Sequence, residues 1–280
     1  MQRAILMGTA VIVAGSLAIA TPAHAQARVG ADMGILSSYV WRGLSLTNKA
    51  VAQPDLYVTF PAGRAAVTVG GWANVDLGKY DDPGSDLSES GGLSALDLAE
   101  IDPWAEISVP AGKVTLTGGA LLYIFPNDAG FTSGSNTVEL YAKAALDAAL
   151  SPRLAVWYDI DKVNGAYIEA SVAHSLALDE KTSLSLGALA GFNAGQSVPE
   201  GPGSTDLASF HDDGFTHLDL SAGVPLAAGA IAILPALHVV IGGDEFTRTT
   251  SPGRAHDVKL WGGATVSWSR ALGRGAGTLE

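Results

Sequence analysis

The stretch Ser37-Ser38-Tyr39-Val40-Trp41-Arg42-Gly43-Leu44-Ser45-Leu46-Thr47 decides how the rest of the chain is read. It ends an alternating segment that begins near residue 26, with Ala31, Met33, Ile35, Ser37, Tyr39 and Trp41 on one face and Asp32, Gly34, Ser38 and Arg42 on the other. Period two sustained over such a length predicts a strand with one apolar and one polar face. About ten residues is also what a tilted strand needs to cross a bilayer. Tyr39 and Trp41 are aromatics of the kind that sit at membrane–water interfaces, and they are followed by a lone arginine and a turn at Gly43. The stretch therefore reads as the top of the first strand of a transmembrane barrel. On that reading Arg42 points inward, beside strand-top acids such as Asp102 or Asp159.

Outward from it the same device recurs. Alternating or apolar runs follow at 54–60, 65–75, 96–109, 114–125, 137–148, 154–160, 166–178, 182–194, 215–224, 230–241 and 257–270. Their joints alternate in length. Tight turns such as Pro61-Ala62-Gly63-Arg64 and Pro110-Ala111-Gly112-Lys113 exchange with long polar segments at 76–92, 126–136, 196–213 and 242–256. Short turns on one rim, long loops on the other and an even strand count are the plan of a bacterial outer-membrane barrel. A soluble sandwich gives no reason for joint length to alternate. The expectation is an all-β, antiparallel, up-and-down transmembrane β-barrel of about 12 strands, formed by residues 26–280 as one domain. The apolar run 224–243 approaches the length of a spanning helix, but Pro225, Pro235 and His238 favour a hairpin.

Bulk composition agrees. The chain has 34 Gly among 280 residues and only 16% charged residues, which disfavours a helical bundle because each interior glycine costs a helix roughly 1 kcal/mol. It has no cysteine, so neither disulfides nor thiolate metal sites are available. A net charge of −12 without any basic cluster speaks against nucleic acid. Residues 1–25 combine Arg3, an apolar run, Pro22 and Ala23-His24-Ala25, the make-up of a cleaved signal peptide that leaves Gln26 first. Localisation in the cell outer membrane follows, with outer-membrane lipid, lipopolysaccharide and small solutes as partners.

If the apolar alternates face lipid, the other face lines the interior. That rule assigns Arg42, Asn74, Glu100, Asp102, Glu106, Glu139, Lys143, Asp159, Glu169, Asp219 and Lys259 to the lumen. Acids outnumber bases there, which predicts a weak cation preference if water fills the pore. Tyr39, Trp41 and Trp268 are expected at the membrane interface, whereas Trp72, Trp104, Trp157 and Trp261 fall on the polar face. His217, Asp219 and Ser221 collect base, acid and hydroxyl on one strand face, but same-face neighbours stand about 7 Å apart, too far for direct hydrogen bonds. No hydrolase elbow, phosphate loop, HExxH or EF-hand spacing occurs. The acidic segment 76–86 lacks regular calcium-ligand spacing. Catalytic residues, metal ligands and cofactors are therefore expected to be none, and the function expected is passive diffusion of small solutes. The other reading is a closed barrel that binds a partner or modifies lipid.

The opening stretch also carries a resemblance. Ser38-Tyr39-Val40-Trp41-Arg42-Gly43-Leu44-Ser45-Leu46-Thr47, followed by Ala50-Val51-Ala52-Gln53-Pro54-Asp55, resembles the N-terminal signature of the TorF-like porin family of Gram-negative outer-membrane barrels, a pattern close to S-N-Y-x-[FW]-R-G-x-S-x-T. Gly71-Trp72-Ala73-Asn74-Val75 and Glu100-Ile101-Asp102 are similar to its following strands. Ser37-Ser38 stands where the family often has Ser-Asn. The C-terminus departs further, running past Trp268 to Glu280 without the terminal aromatic usual in barrel-assembly signals. The resemblance implies an outer-membrane porin.

Overall fold

The computed structural model describes residues 26–78, 96–126, 136–180, 182–196, 210, 212–242 and 257–272. The segment read as a signal peptide, most of the four long polar loops and the tail beyond residue 272 lie outside the described residues. Among the described residues fifteen strands follow in order: β1 (Arg28–Leu36), β2 (Tyr39–Trp41), β3 (Leu44–Thr47), β4 (Val51–Ala62), β5 (Ala65–Asp76), β6 (Asp97–Ala111), β7 (Val114–Tyr123), β8 (Thr137–Leu146), β9 (Arg153–Asp159), β10 (Ala166–Ala177), β11 (Ser183–Ala194), β12 (Gly214–Gly223), β13 (Leu226–Ala228), β14 (Ile231–Gly242) and β15 (Val258–Ala271). Twelve of them pair antiparallel with their neighbours. The ring closes where β15 meets β1 and β14 meets β12. The three-residue β13 extends the turn before β14, and among the described strands β2 pairs only with β3.

Alternation decides which way the side chains point. Met33, Ile35, Leu56, Ile107, Leu140 and Leu154 are exposed on the outer surface, while Asp32, Asp55, Asn74, Asp102, Glu106 and Glu139 are buried inside. This is the inverse of a water-soluble domain. It suits a wall with hydrocarbon outside, where backbone donors and acceptors are satisfied between strands and the closed ring leaves no edge open among the described strands.

The tight turns behave as the sequence indicates. Ala62 pairs with Ala65 and Ala111 with Val114 across two-residue loops opened by Gly63 and Gly112, both at φ 65°. A positive φ at the first loop position matches the right-handed twist of the flanking strands. These turns, the chain's entry at Arg28 and its exit at Ala271 share one rim. The strand ends joined by the longer connections share the other. Inside the wall Tyr57, Trp104 and Tyr141 each face a glycine directly across the ladder (Gly30, Gly70 and Gly119), and the ring takes the space that a Cβ there would need. The rings thus lie along the wall.

The first strand is shorter than its alternation suggests. The paired ladder with β4 and β15 stops at Leu36, Ser37 and Ala50 still bond to Gly262 and Leu77, and residues 38–49 leave the wall. Tyr39–Trp41 and Leu44–Thr47 form a separate hairpin whose residues are almost all buried. The alternation of residues 37–41 thus belongs to two environments joined by a bend, not to one strand reaching the membrane surface.

Candidate functional site

The hairpin turns at Arg42-Gly43, both with positive φ (49° and 84°), between the paired Trp41 and Leu44. Two consecutive left-handed residues make the tight turn that a two-residue hairpin prefers. Gly43 meets this demand without strain, and a Cβ there would sit 2.5 Å from the His217 ring on β12. The hairpin folds from the β1–β4 side across the lumen, at the rim of the long connections. Its base is closed by Ser38, which donates to the Thr47 carbonyl (2.7 Å), and tied to the near wall by Thr47, which donates to Asp76 (3.1 Å). Asn74 also donates to Asp76 (3.0 Å) and accepts from Gln53 (3.1 Å).

Its tip is tied to the far wall. The Arg42 guanidinium grips the Glu139 carboxylate of β8 through both ends, Nη1 to Oε1 at 2.9 Å and Nη2 to Oε2 at 2.6 Å. Nη1 also donates to Gln196 Oε1 at 2.8 Å. Glu139 further accepts from the Tyr123 hydroxyl (2.9 Å) and the Gln196 amide (3.0 Å). The guanidinium lies 4.3 Å from the centre of the Trp41 ring and 4.4 Å from that of Tyr167. Phe210 stacks on both rings, nearly parallel to Tyr167 at 5.8 Å. The two charged side chains are 4% and 3% exposed, so the pair is fully desolvated. Burial alone would lower the Arg42 pKa, but the Glu139 carboxylate more than offsets this and raises it above its ordinary value. Burial, with help from Glu100 and Asp102, raises the Tyr39 phenol well above its usual range.

All eleven residues assigned to the lumen lie on the inward side, but with different partners. Arg42 meets Glu139, and not Asp102 or Asp159 as expected. Asp159 accepts from Thr137 (2.6 Å) and from the backbone of Asp161 and Val163, so it fixes the β9–β10 turn. Lys143 pairs with Glu106 at 3.2 Å and lies over the Tyr141 ring. Asp219 pairs with His238 of β14 at 3.0 Å. His217 instead shares a hydrogen bond with Thr216 and packs against Gly43. Lys259 donates to Asn48 in the connection after β3. Asn74 stands opposite Glu100, and Asp102 opposite Trp72, in the β5–β6 ladder. Glu169 follows Tyr167 on the inward face of β10.

Tyr39 and Trp41 require correction. Their expected place is the bilayer interface, but they are buried inside the barrel, Tyr39 against Trp72 (5.6 Å) and Trp41 against Tyr123 and Phe210 (6.4 Å each). Only Trp268 of the three faces outward, on β15 near the tight-turn rim. An aromatic that would suit headgroups serves equally well as the core of an inserted hairpin, and the inward bend after Leu36 decides between them. Sequence reading also missed Gln196 and Phe210, which lie outside the strands and carry no periodic signal. Asp32 and Asp55, directly opposite each other on β1 and β4, were identifiable by alternation alone.

A family model described as "Bacterial protein of unknown function (Gcw_chp)" matches residues 20–229. No curated protein matches the chain. Among solved structures, the COG4313 outer membrane channel from Pseudomonas putida F1 is similar with a TM-score of 0.53 at 11% identity, covering 90% of this chain and 97% of that one. The translocator domain of the autotransporter NalP from Neisseria meningitidis has a TM-score of 0.40 at 11% identity, over 88% of this chain and 89% of that one. At 11% identity the likeness to the Pseudomonas channel is one of fold.

Proposed function

The chain belongs to the Gcw_chp family of bacterial proteins, and we propose that it is an outer-membrane channel for passive diffusion of small solutes, with a weak preference for cations. The observation that carries this reading is the set of polar groups along the inner face of the barrel, interleaved with a buried aromatic cluster that includes Trp72, Trp104, Tyr141, Trp157 and Trp261. Twelve strands spaced about 4.8 Å apart and tilted about 40° enclose a backbone radius of about 12 Å, more than wall side chains fill from both sides. In the half nearer the tight turns the inner face presents half-buried hydroxyls, including the Thr59–Thr68 and Ser108–Thr117 pairs at 3.0 and 2.8 Å. Nearer the centre it carries the carboxylates Asp32, Asp55, Asp102 and Glu106. Where water reaches this lining, its excess of carboxylates lowers the energy of cations relative to anions. The leader-like residues 1–25, the resemblance of residues 38–47 to TorF-like porins and the likeness to the Pseudomonas outer membrane channel support the same reading. So does the apolar outer face, which suits outer-membrane lipid and lipopolysaccharide.

The inserted hairpin favours a second reading, a closed barrel with a structural or binding role. Liposome swelling with purified protein separates the two. Swelling in small sugars or amino acids supports the channel, and none with any solute selects the closed barrel. Under asymmetric KCl a reversal potential on the cation side is expected, and one on the anion side defeats the cation preference.

A further inference from the structure

We propose that the pocket holding Arg42 is a guanidinium-recognition site of the barrel wall. The hairpin occupies it in this structure, and a small solute carrying a guanidinium group takes it when the hairpin withdraws. The proposal rests on the channel reading only for how such a solute arrives.

The polar groups of the pocket come from outside the hairpin, while Phe210 and the hairpin's own Trp41 complete its aromatic lining. Glu139 comes from β8, Tyr123 from β7, Tyr167 from β10 and Gln196 from just beyond β11. Its shape is specific to a planar fork. Two carboxylate oxygens meet two different nitrogens of one guanidinium, at 2.9 and 2.6 Å, which a single ammonium cannot reproduce. A third acceptor, Gln196 Oε1, engages the same group, and its orientation is fixed because the amide nitrogen already donates to Glu139 (3.0 Å) and to the Gly165 carbonyl (3.2 Å). The Tyr167 ring supplies a face against which the cation lies. Polar atoms are thus aimed at the guanidinium by groups that do not belong to the hairpin, the preorganisation expected of a binding site.

The rest of the hairpin shows that such an anchor is not needed for packing. Tyr39, Val40, Trp41 and Leu44 are buried and apolar, and a buried ion pair is no more stabilising than a well-packed apolar contact of similar size. What the pair adds is exchangeability. A solute presenting the same fork offers Glu139 the same bonds and frees the hairpin, so solute entry and hairpin withdrawal become linked.

The test is chemical rescue in the full-length Arg42→Ala protein in detergent micelles, read as Tm. A ligand that binds only the folded state raises its stability by mass action, so N-ethylguanidinium at about 10 mM should return at least half of the lost Tm. Ethylammonium and sodium chloride at equal ionic strength should return almost none. Adding Glu139→Gln should abolish the rescue. Equal effects of the three salts, rescue that survives Glu139→Gln, or no rescue at all overturns the proposal. Should Arg42→Ala fail to fold, a variant with residues 37–50 replaced by Asn-Gly, which also vacates the pocket, is expected to show the same guanidinium-specific rise in Tm, and its absence is equally fatal. Because this readout needs no flux, its failure is distinguishable from failure of the channel reading.

Discussion

Cutting either side of the Arg42–Glu139 pair should harm the protein more than removing both. Glu139 accepts four hydrogen bonds, two from Arg42 and one each from Tyr123 and Gln196. Glu139→Ala therefore strands a buried guanidinium with Gln196 and the faces of Trp41, Tyr167 and, farther off, Trp157 as partners. Removing one partner of a desolvated pair costs about 3–5 kcal/mol, because the other charge stays buried and uncompensated. For a chain of this size each kcal/mol shifts Tm by about 2–4 °C, so a fall on the order of 6–20 °C is expected. Arg42→Ala exposes the mirror problem, a carboxylate still bonded to Tyr123 and Gln196, and should cost somewhat less. The double variant buries no unpaired charge. Its loss should be smaller than that of Glu139→Ala alone, giving a coupling energy of roughly 2 kcal/mol or more between neighbours. The measurement is thermal unfolding of all four proteins in one detergent at one scan rate, followed by circular dichroism, since barrel unfolding is often under kinetic control. Single variants within about 1 °C of wild type, or a double variant whose loss equals the sum of the singles, would refute the claim that this pair anchors the hairpin.

Two further outcomes follow from the geometry. Val172 faces outward midway along β10 and its neighbour Ser171 faces inward; Val172→Arg should cost about 2–4 kcal/mol of folding stability in lipid vesicles, with Ser171→Arg well below that, and equal costs would argue against a lipid-facing outer surface. Gly43 and Gly63 both have positive φ, but only Gly43 has a neighbour where a Cβ would go, the His217 ring at 2.5 Å, against open space at Gly63. Gly63→Ala should therefore cost about 1 kcal/mol from backbone strain alone, while Gly43→Ala should lower Tm further and loosen the hairpin.

Much of this molecule is legible in its sequence because strand alternation carries inside–outside information at every residue. Counting in twos places Asn74, Glu106 and Lys143 on the inner face, and Gly63 and Gly112 mark their turns. The candidate site is only half legible. Arg42 carries the correct direction, but its partner Glu139 lies 97 residues away, and no local rule relates the two. The alternation of residues 37–41 continues that of β1 so well that Tyr39 and Trp41 resemble interface anchors. A period-two pattern records which side chains share a face, and not whether the chain has left the sheet. Gln196 and Phe210 complete the pocket from aperiodic segments, where nothing short of the folded chain brings them to Arg42.

The electrical consequence of the hairpin offers the most direct test. Leu36 and Val51 are direct partners in the β1–β4 ladder, so an Asn-Gly turn can replace residues 37–50 without stretching either strand. Single-channel conductance of this excised protein should be compared with that of wild type in the same planar bilayer and salt. A several-fold larger conductance is expected once the hairpin is gone, with cation preference retained by the wall carboxylates. Equal conductance in the two proteins would contradict this, because the hairpin would then not be what occupies the conducting path.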